Sequence, residues 1–188
     1  MKPLAPNDSP GLTGSVIAVR DIEELEDLVV PWQLDMRQVS GGSMDARLCI
    51  GQLDDILVTR ERWSQKVVAT GASPPGYLAL SGLGSQRAFK WCGHEIGSRQ
   101  LVCGLDAVEV DFATPKSADH WVILVPLGLI VDYLGEEPVT ALRGRRVLRS
   151  EPSLSMRLLS LANRTVAPPT GYVDTGPGHL SRKALKAD

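Results

Sequence analysis

The sequence predicts a mainly β domain, a sandwich or barrel, followed by α-helices. Three observations carry this expectation. Between residues 32 and 126 the chain is a series of short apolar or alternating runs. Turn signals such as Gly41-Gly42, Asp54-Asp55 and Pro74-Pro75 break them, and short strands at roughly 8–12-residue spacing indicate a sandwich or barrel. No helical crossover lies between the runs, which argues against a Rossmann-type sheet. After Pro126 the texture changes, and helical segments take over.

The elements follow in order. Residues 1–10 are polar and proline-containing and read as a loose lead-in. A short apolar patch, Ser15-Val16-Ile17-Ala18-Val19, precedes Asp21. Asp21 can cap a helix whose first turn carries Glu23 and Glu24, where negative charge is favourable. Ile22, Leu25, Leu28 and Val29 share one apolar face, and Pro31 ends the helix. Runs of strand character then appear at residues 33–39, 44–50, 56–59, 65–70, 77–83, 88–92, 101–103, 108–112 and 119–125. Leu127 to Leu134 reads as a short helix stopped by Gly135. Residues 135–152 are mixed and hold the basic cluster Arg143, Arg145, Arg146 and Arg149. Pro152-Ser153 opens a second helix, from Leu154 to about Asn163. Residues 166–180 carry Pro168-Pro169, Gly171 and Gly176-Pro177-Gly178 and read as a flexible linker. Ser181 to Asp188 are helix formers behind a serine that would cap them.

Composition sets further bounds. A chain of 188 residues fits one ordinary domain plus a tail. With 43% hydrophobic and 22% charged residues it is not wholly disordered. No long apolar run exists to span a membrane. The first eight residues lack an apolar signal core, and three cysteines (Cys49, Cys92, Cys103) form no paired framework. Both features fit a reducing, cytoplasmic setting. Lys and Arg total 20 against 22 Asp and Glu, a formal net charge of −2. That balance lacks the basic excess of a self-sufficient nucleic-acid binder.

No arrangement of residues spells out a catalytic site. His94, His120 and His179 are the three histidines. They do not form the His-x-His pair by which barrel enzymes hold a metal, and Cys92-x-His94-Glu95 with Cys103 and His120 has no structural-zinc spacing. No metal or other cofactor is expected. Cys92 and Cys103 read as small core residues, and His94-Glu95 as a turn. No Gly-x-Ser-x-Gly elbow occurs, and Gly82-Leu83-Gly84 lacks the third glycine of a dinucleotide loop. Asp54-Asp55 and Asp119-His120 read as loop charges. Neighbours on a strand face opposite ways, so neither pair would converge on one atom by itself. The arginine cluster reads as solvated. Trp63, Trp91 and Trp121 stand on or beside strands; such aromatics either line an apolar cavity or fill a plain core.

Several segments resemble the N-terminal domain of AraC-type transcriptional regulators. They are Gly51-Gln52-Leu53-Asp54-Asp55-Ile56-Leu57-Val58-Thr59-Arg60-Glu61, then Pro74-Pro75-Gly76-Tyr77-Leu78-Ala79-Leu80. Val108-Glu109-Val110-Asp111-Phe112-Ala113-Thr114-Pro115 and His120-Trp121-Val122-Ile123-Leu124-Val125-Pro126, with the helix behind it, complete the set. The resemblance covers roughly residues 15–165. It implies a cupin-like β-barrel or jelly roll without catalytic metal, followed by dimerisation helices. It further implies a regulatory, non-enzymatic role in sensing a small molecule or partner. Such regulators continue into a helix-turn-helix DNA-binding module, which these residues do not include. DNA contact is therefore expected through that missing C-terminal module.

On this reading residues 1–31 are a lead-in and short helix, and 32–126 the barrel. Residues 127–165 form a helical dimerisation segment, and 166–188 a linker. Trp63, Tyr77 and Trp91 are the candidate contacts for a small, mostly apolar effector. Leu154, Leu158 and Leu161, at i, i+4 and i+7, are the candidate homodimer stripe. The same leucines would equally serve to pack the helix on its own barrel. The rival readings are a metal-dependent cupin enzyme and a stand-alone short form that antagonises a full-length regulator.

Overall fold

A computed structural model describes residues 13–29, 31–84 and 88–165. The lead-in, the linker and the final helix-forming segment lie outside these residues. Two antiparallel sheets face each other. The larger has seven strands in the order β1-β3-β4-β11-β6-β9-β12: β1 (Thr13–Val19), β3 (Ala46–Leu53), β4 (Ile56–Trp63), β6 (Tyr77–Leu83), β9 (Gln100–Leu105), β11 (Ala118–Pro126) and β12 (Val147–Arg149). The smaller has five, β2-β5-β10-β7-β8: β2 (Gln33–Gln38), β5 (Val67–Ala72), β7 (Phe89–Trp91), β8 (His94–Ile96) and β10 (Glu109–Ala113). The fold is a mainly β sandwich followed by helices, as the pattern of short strands predicts, and it is consistent with the jelly roll that the resemblance implies.

Between the sheets lies the core. Ala46, Trp63 and Ala118 of the larger sheet meet Met36, Val67 and Ala69 of the smaller. Helix α1 (Ile22–Leu28) inserts Leu25 into the same cluster. Its cap forms as expected: the Asp21 side chain accepts from Glu24 N at 2.7 Å. Further along, Phe89, Trp91, Ile96 and Val110 pack against Val102.

Three helices coat the outer face of the larger sheet. Pro126 closes β11, and α2 (Leu127–Leu134) starts at once, ending at Gly135 with φ +79°. Its Leu127, Ile130 and Val131 pack with Val139 of α3 (Glu137–Leu142) on Leu78, Cys103 and Leu105. Helix α4 (Pro152–Thr165) covers Val58, Trp121 and Ile123. Its seat is close: a Cβ on Gly51 would lie 2.4 Å from the Thr165 carbonyl oxygen.

Sheet residues extend past the expected barrel limits of 32 and 126. The apolar patch at Ser15–Val19 pairs with β3 as edge strand β1, and residues 147–149 of the mixed region pair with β9 as β12. The mixed region also holds α3. His94 and Glu95 are strand residues rather than a turn; Cys92-Gly93, both at positive φ, make the turn before them. Cys103 is a core residue, as expected, whereas Cys92 is half-buried. Among the described residues no helix is long and apolar enough to cross a membrane.

Candidate functional site

Strands β4 and β11 are neighbours, and their register pairs His120 with Glu61, Asp119 with Arg62 and Trp121 with Arg60. Alternation sends Thr59, Glu61 and Trp63 to one face of β4 and Arg60 and Arg62 to the other. On β11, His120 and Val122 face inward, while Asp119 and Trp121 face outward. Two polar clusters therefore sit back to back through the same pair of strands.

Inside, His120 Nε2 lies 3.1 Å from Glu61 Oε2, and both side chains are about nine-tenths buried. The Thr59 hydroxyl donates to the other Glu61 oxygen at 2.9 Å. Glu61 and His120 line a cavity of about 40 Å³ between the sheets. Ser81 and Val122 continue this wall, and Trp32, Leu34, Met36, Phe89, Trp91 and Phe112 form the apolar part facing it. Trp91 is 3% exposed, and its indole Nε1–H has no hydrogen-bond partner among the described residues. Buried donors without partners are rare in folded proteins.

Outside, Arg60 grips Asp119 with both arms, Nε to Oδ1 at 3.0 Å and Nη2 to Oδ2 at 2.9 Å. Its third nitrogen donates to the side chain of Asn163 on α4. Arg62 Nε adds a contact to Asp119 at 3.3 Å. Burial alone would raise the Asp119 pKa, but the hydrogen bonds and charges of Arg60 and Arg62 outweigh it and hold the carboxyl below the usual range. This cluster ties the last helix to the sheet. Asp119 and His120 are thus not loop charges; both sit in a central strand, and each has its own partner. Asp54-Asp55 does form a turn, with Asp54 at φ +52°.

The three candidate effector contacts are not all in one wall. Trp91 lines the cavity. Trp63 backs it: its Nε1 donates to Thr114 Oγ1 at 2.9 Å, and its ring meets the His120 ring edge-on at 4.7 Å. Tyr77 is not among the lining residues; it packs in a neighbouring cluster with Trp32, Val122 and Leu124. Trp121 faces outward under α4. Glu61 was missed by sequence reading, though a charged residue flanked at i−2 and i+2 by Thr59 and Trp63 on one strand face was the available signal. Trp32, just before β2, carried no signal.

Of the candidate dimer leucines, Leu158 packs on the chain's own sheet beside Ala162, Leu161 is half-buried, and Leu154 is 47% exposed. Among the described residues no group of three His, Cys, Asp or Glu side chains is placed to hold a metal. The Arg145 guanidinium donates to the Ala141 carbonyl, and the backbone oxygen of Arg146 accepts from Cys103 N.

Fold and site together define a two-sheet jelly roll with a small, mostly apolar cavity that carries Glu61 and His120 on one wall, and with helices laid on its outside. Among solved structures the chain is similar to the AraC-like transcriptional activator CuxR, at 14% identity and a TM-score of 0.48, over 89% of this chain and 73% of that one. No family model and no curated protein matches the sequence.

Proposed function

We propose that this chain is the regulatory domain of an AraC-like transcription factor, sensing a small effector between its sheets and pairing two copies through its outer helices. The reading assigns it no catalysis and a cytoplasmic setting, and leaves DNA contact to a helix-turn-helix module outside these residues. One observation carries it. The segments that resemble the family are consecutive parts of one device: Val108–Pro115 supplies β10 and Thr114 at the cavity, and His120–Pro126 supplies β11. The helix that starts at Leu127 is α2. The effector would enter the cavity beside Trp91, with Trp63 and Tyr77 behind it. The pairing surface would use Leu154, with Leu161 at its edge, rather than Leu158.

A fusion tests this. Residues 1–188 are joined to a DNA-binding head that represses a reporter only as a dimer. Repression that disappears in Leu154→Asp is the expected result. A fusion that stays monomeric and never represses would remove the pairing half of the proposal.

A further inference from the structure

The cavity poses a problem of size. At about 40 Å³ it has room for a water molecule or two, whereas an aromatic ring needs on the order of 150 Å³. One wall, however, is a large side chain that is partly exposed. Trp32 is only half-buried and stands between α1 and β2, where its backbone N–H meets the Val29 carbonyl. It packs against the Phe89, Trp91 and Val110 cluster and also against the Ala79, Val122 and Leu124 cluster. It meets Trp91 edge-on, ring centres 6.2 Å apart at 89°. Trp91 in turn stacks on Phe112 at 6.3 Å.

Building on the regulatory reading above, we propose that the Trp32 indole occupies the effector's place, and that the effector is a flat, uncharged aromatic molecule bearing a hydrogen-bond acceptor. A flat ring in that position inherits the apolar contacts of Trp32. Unlike Trp32, it brings an acceptor for the orphaned Trp91 N–H. A carboxylate would be a poor occupant, because the Glu61 carboxyl on the same wall already takes up the donors nearest it, the Thr59 hydroxyl and His120 Nε2, and leaves the newcomer unpartnered.

The test uses three probes of nearly equal shape: indole-3-carboxaldehyde, with an acceptor; 3-methylindole, without one; and indole-3-carboxylate, charged. Binding is measured by calorimetry to the full chain and to Trp32→Ala; Trp32→Leu replaces it if the alanine variant does not fold. Vacating the indole should tighten aldehyde binding at least tenfold over the unmodified chain, about 1.4 kcal/mol. Within the Trp32 variant the aldehyde should bind roughly fivefold tighter than 3-methylindole, the factor one net hydrogen bond carries, and the carboxylate weakest. Adding Trp91→Phe should erase that fivefold preference. A folded Trp32 variant that binds no probe overturns the proposal. So does a preference that survives Trp91→Phe. The regulatory reading is judged separately by the reporter: probe binding with a silent reporter sinks that reading alone, and a working reporter without probe binding sinks only the ligand assignment.

Discussion

Gly51→Ala is a small change with a large expected consequence for the last helix. Gly51 lies inside β3, paired with Gly14 and Val58. Its φ is not in the left-handed region, so the backbone accepts alanine. Taken alone, the substitution should stabilise by about 0.4–1 kcal/mol through the unfolded chain. The added methyl, however, would stand 2.4 Å from the Thr165 carbonyl oxygen and 2.8 Å from its carbon. Ordinary contact requires the helix end to lift by about 1 Å. A backbone carbonyl cannot swing aside as a flexible side chain can. Ala162, fully buried one turn earlier, must lift with it. Overpacking of this kind costs about 1–3 kcal/mol, more than the entropic gain. The expected outcome is a net loss of roughly 1–2 kcal/mol in urea unfolding. Amide exchange should rise in residues 158–165 and stay unchanged in β9 and β10. A variant that gains stability while α4 keeps its protection would refute the account of how the helix is seated.

Other consequences follow from the two polar clusters and the outer leucines. Glu61→Ala leaves the Thr59 hydroxyl and His120 Nε2 without their acceptor and should cost about 1–3 kcal/mol in urea unfolding, with Glu61→Gln distinctly milder; equal losses would contradict the assigned roles. Because Arg60 and Arg62 hold the folded Asp119 pKa below its unfolded value of about 3.9, its contribution is complete above that pH and is lost as pH falls through the folded pKa. Asp119→Asn should therefore lower stability near neutrality and flatten the acid limb below about pH 4, and an unchanged acid limb would oppose this. Leu154→Asp should leave stability within about 0.5 kcal/mol yet convert a dimer to monomer in light scattering, whereas Leu158→Asp, which forces a charge under α4, should unfold the helix seat; matching effects would show that the two leucines do not divide as placed.

The strands were legible because their side chains alternate and their ends carry turn residues. The seven-residue run 77–83 is β6, and Leu127–Leu134 ends at Gly135 in sequence and structure alike. Edge strands were harder. Ser15–Val19 and Val147–Arg149 are short, and only pairing with β3 and β9 makes them strands. The α4 stripe shows the limit of periodicity. Leu154, Leu158 and Leu161 share a spacing, but the helix is rotated so that Leu158, Leu159, Ala162 and Thr165 meet the sheet. The site was less legible than the fold. Trp91 was visible as a strand aromatic, yet the buried pair was not. Glu61 and His120 are 59 residues apart in sequence, and only the β4–β11 register joins them.

The central claim is that the space between the sheets is a sensing site. The most direct test is a thermal and urea stability screen of the full chain against a broad panel of small metabolites, repeated on Trp91→Phe. A ligand at 100 times its dissociation constant should add about 2.7 kcal/mol. Such a compound is expected, with about 1 kcal/mol of its stabilisation, the fivefold carried by the Trp91 N–H, lost in the Trp91→Phe chain. A panel that stabilises neither chain, or stabilises both equally, would contradict it.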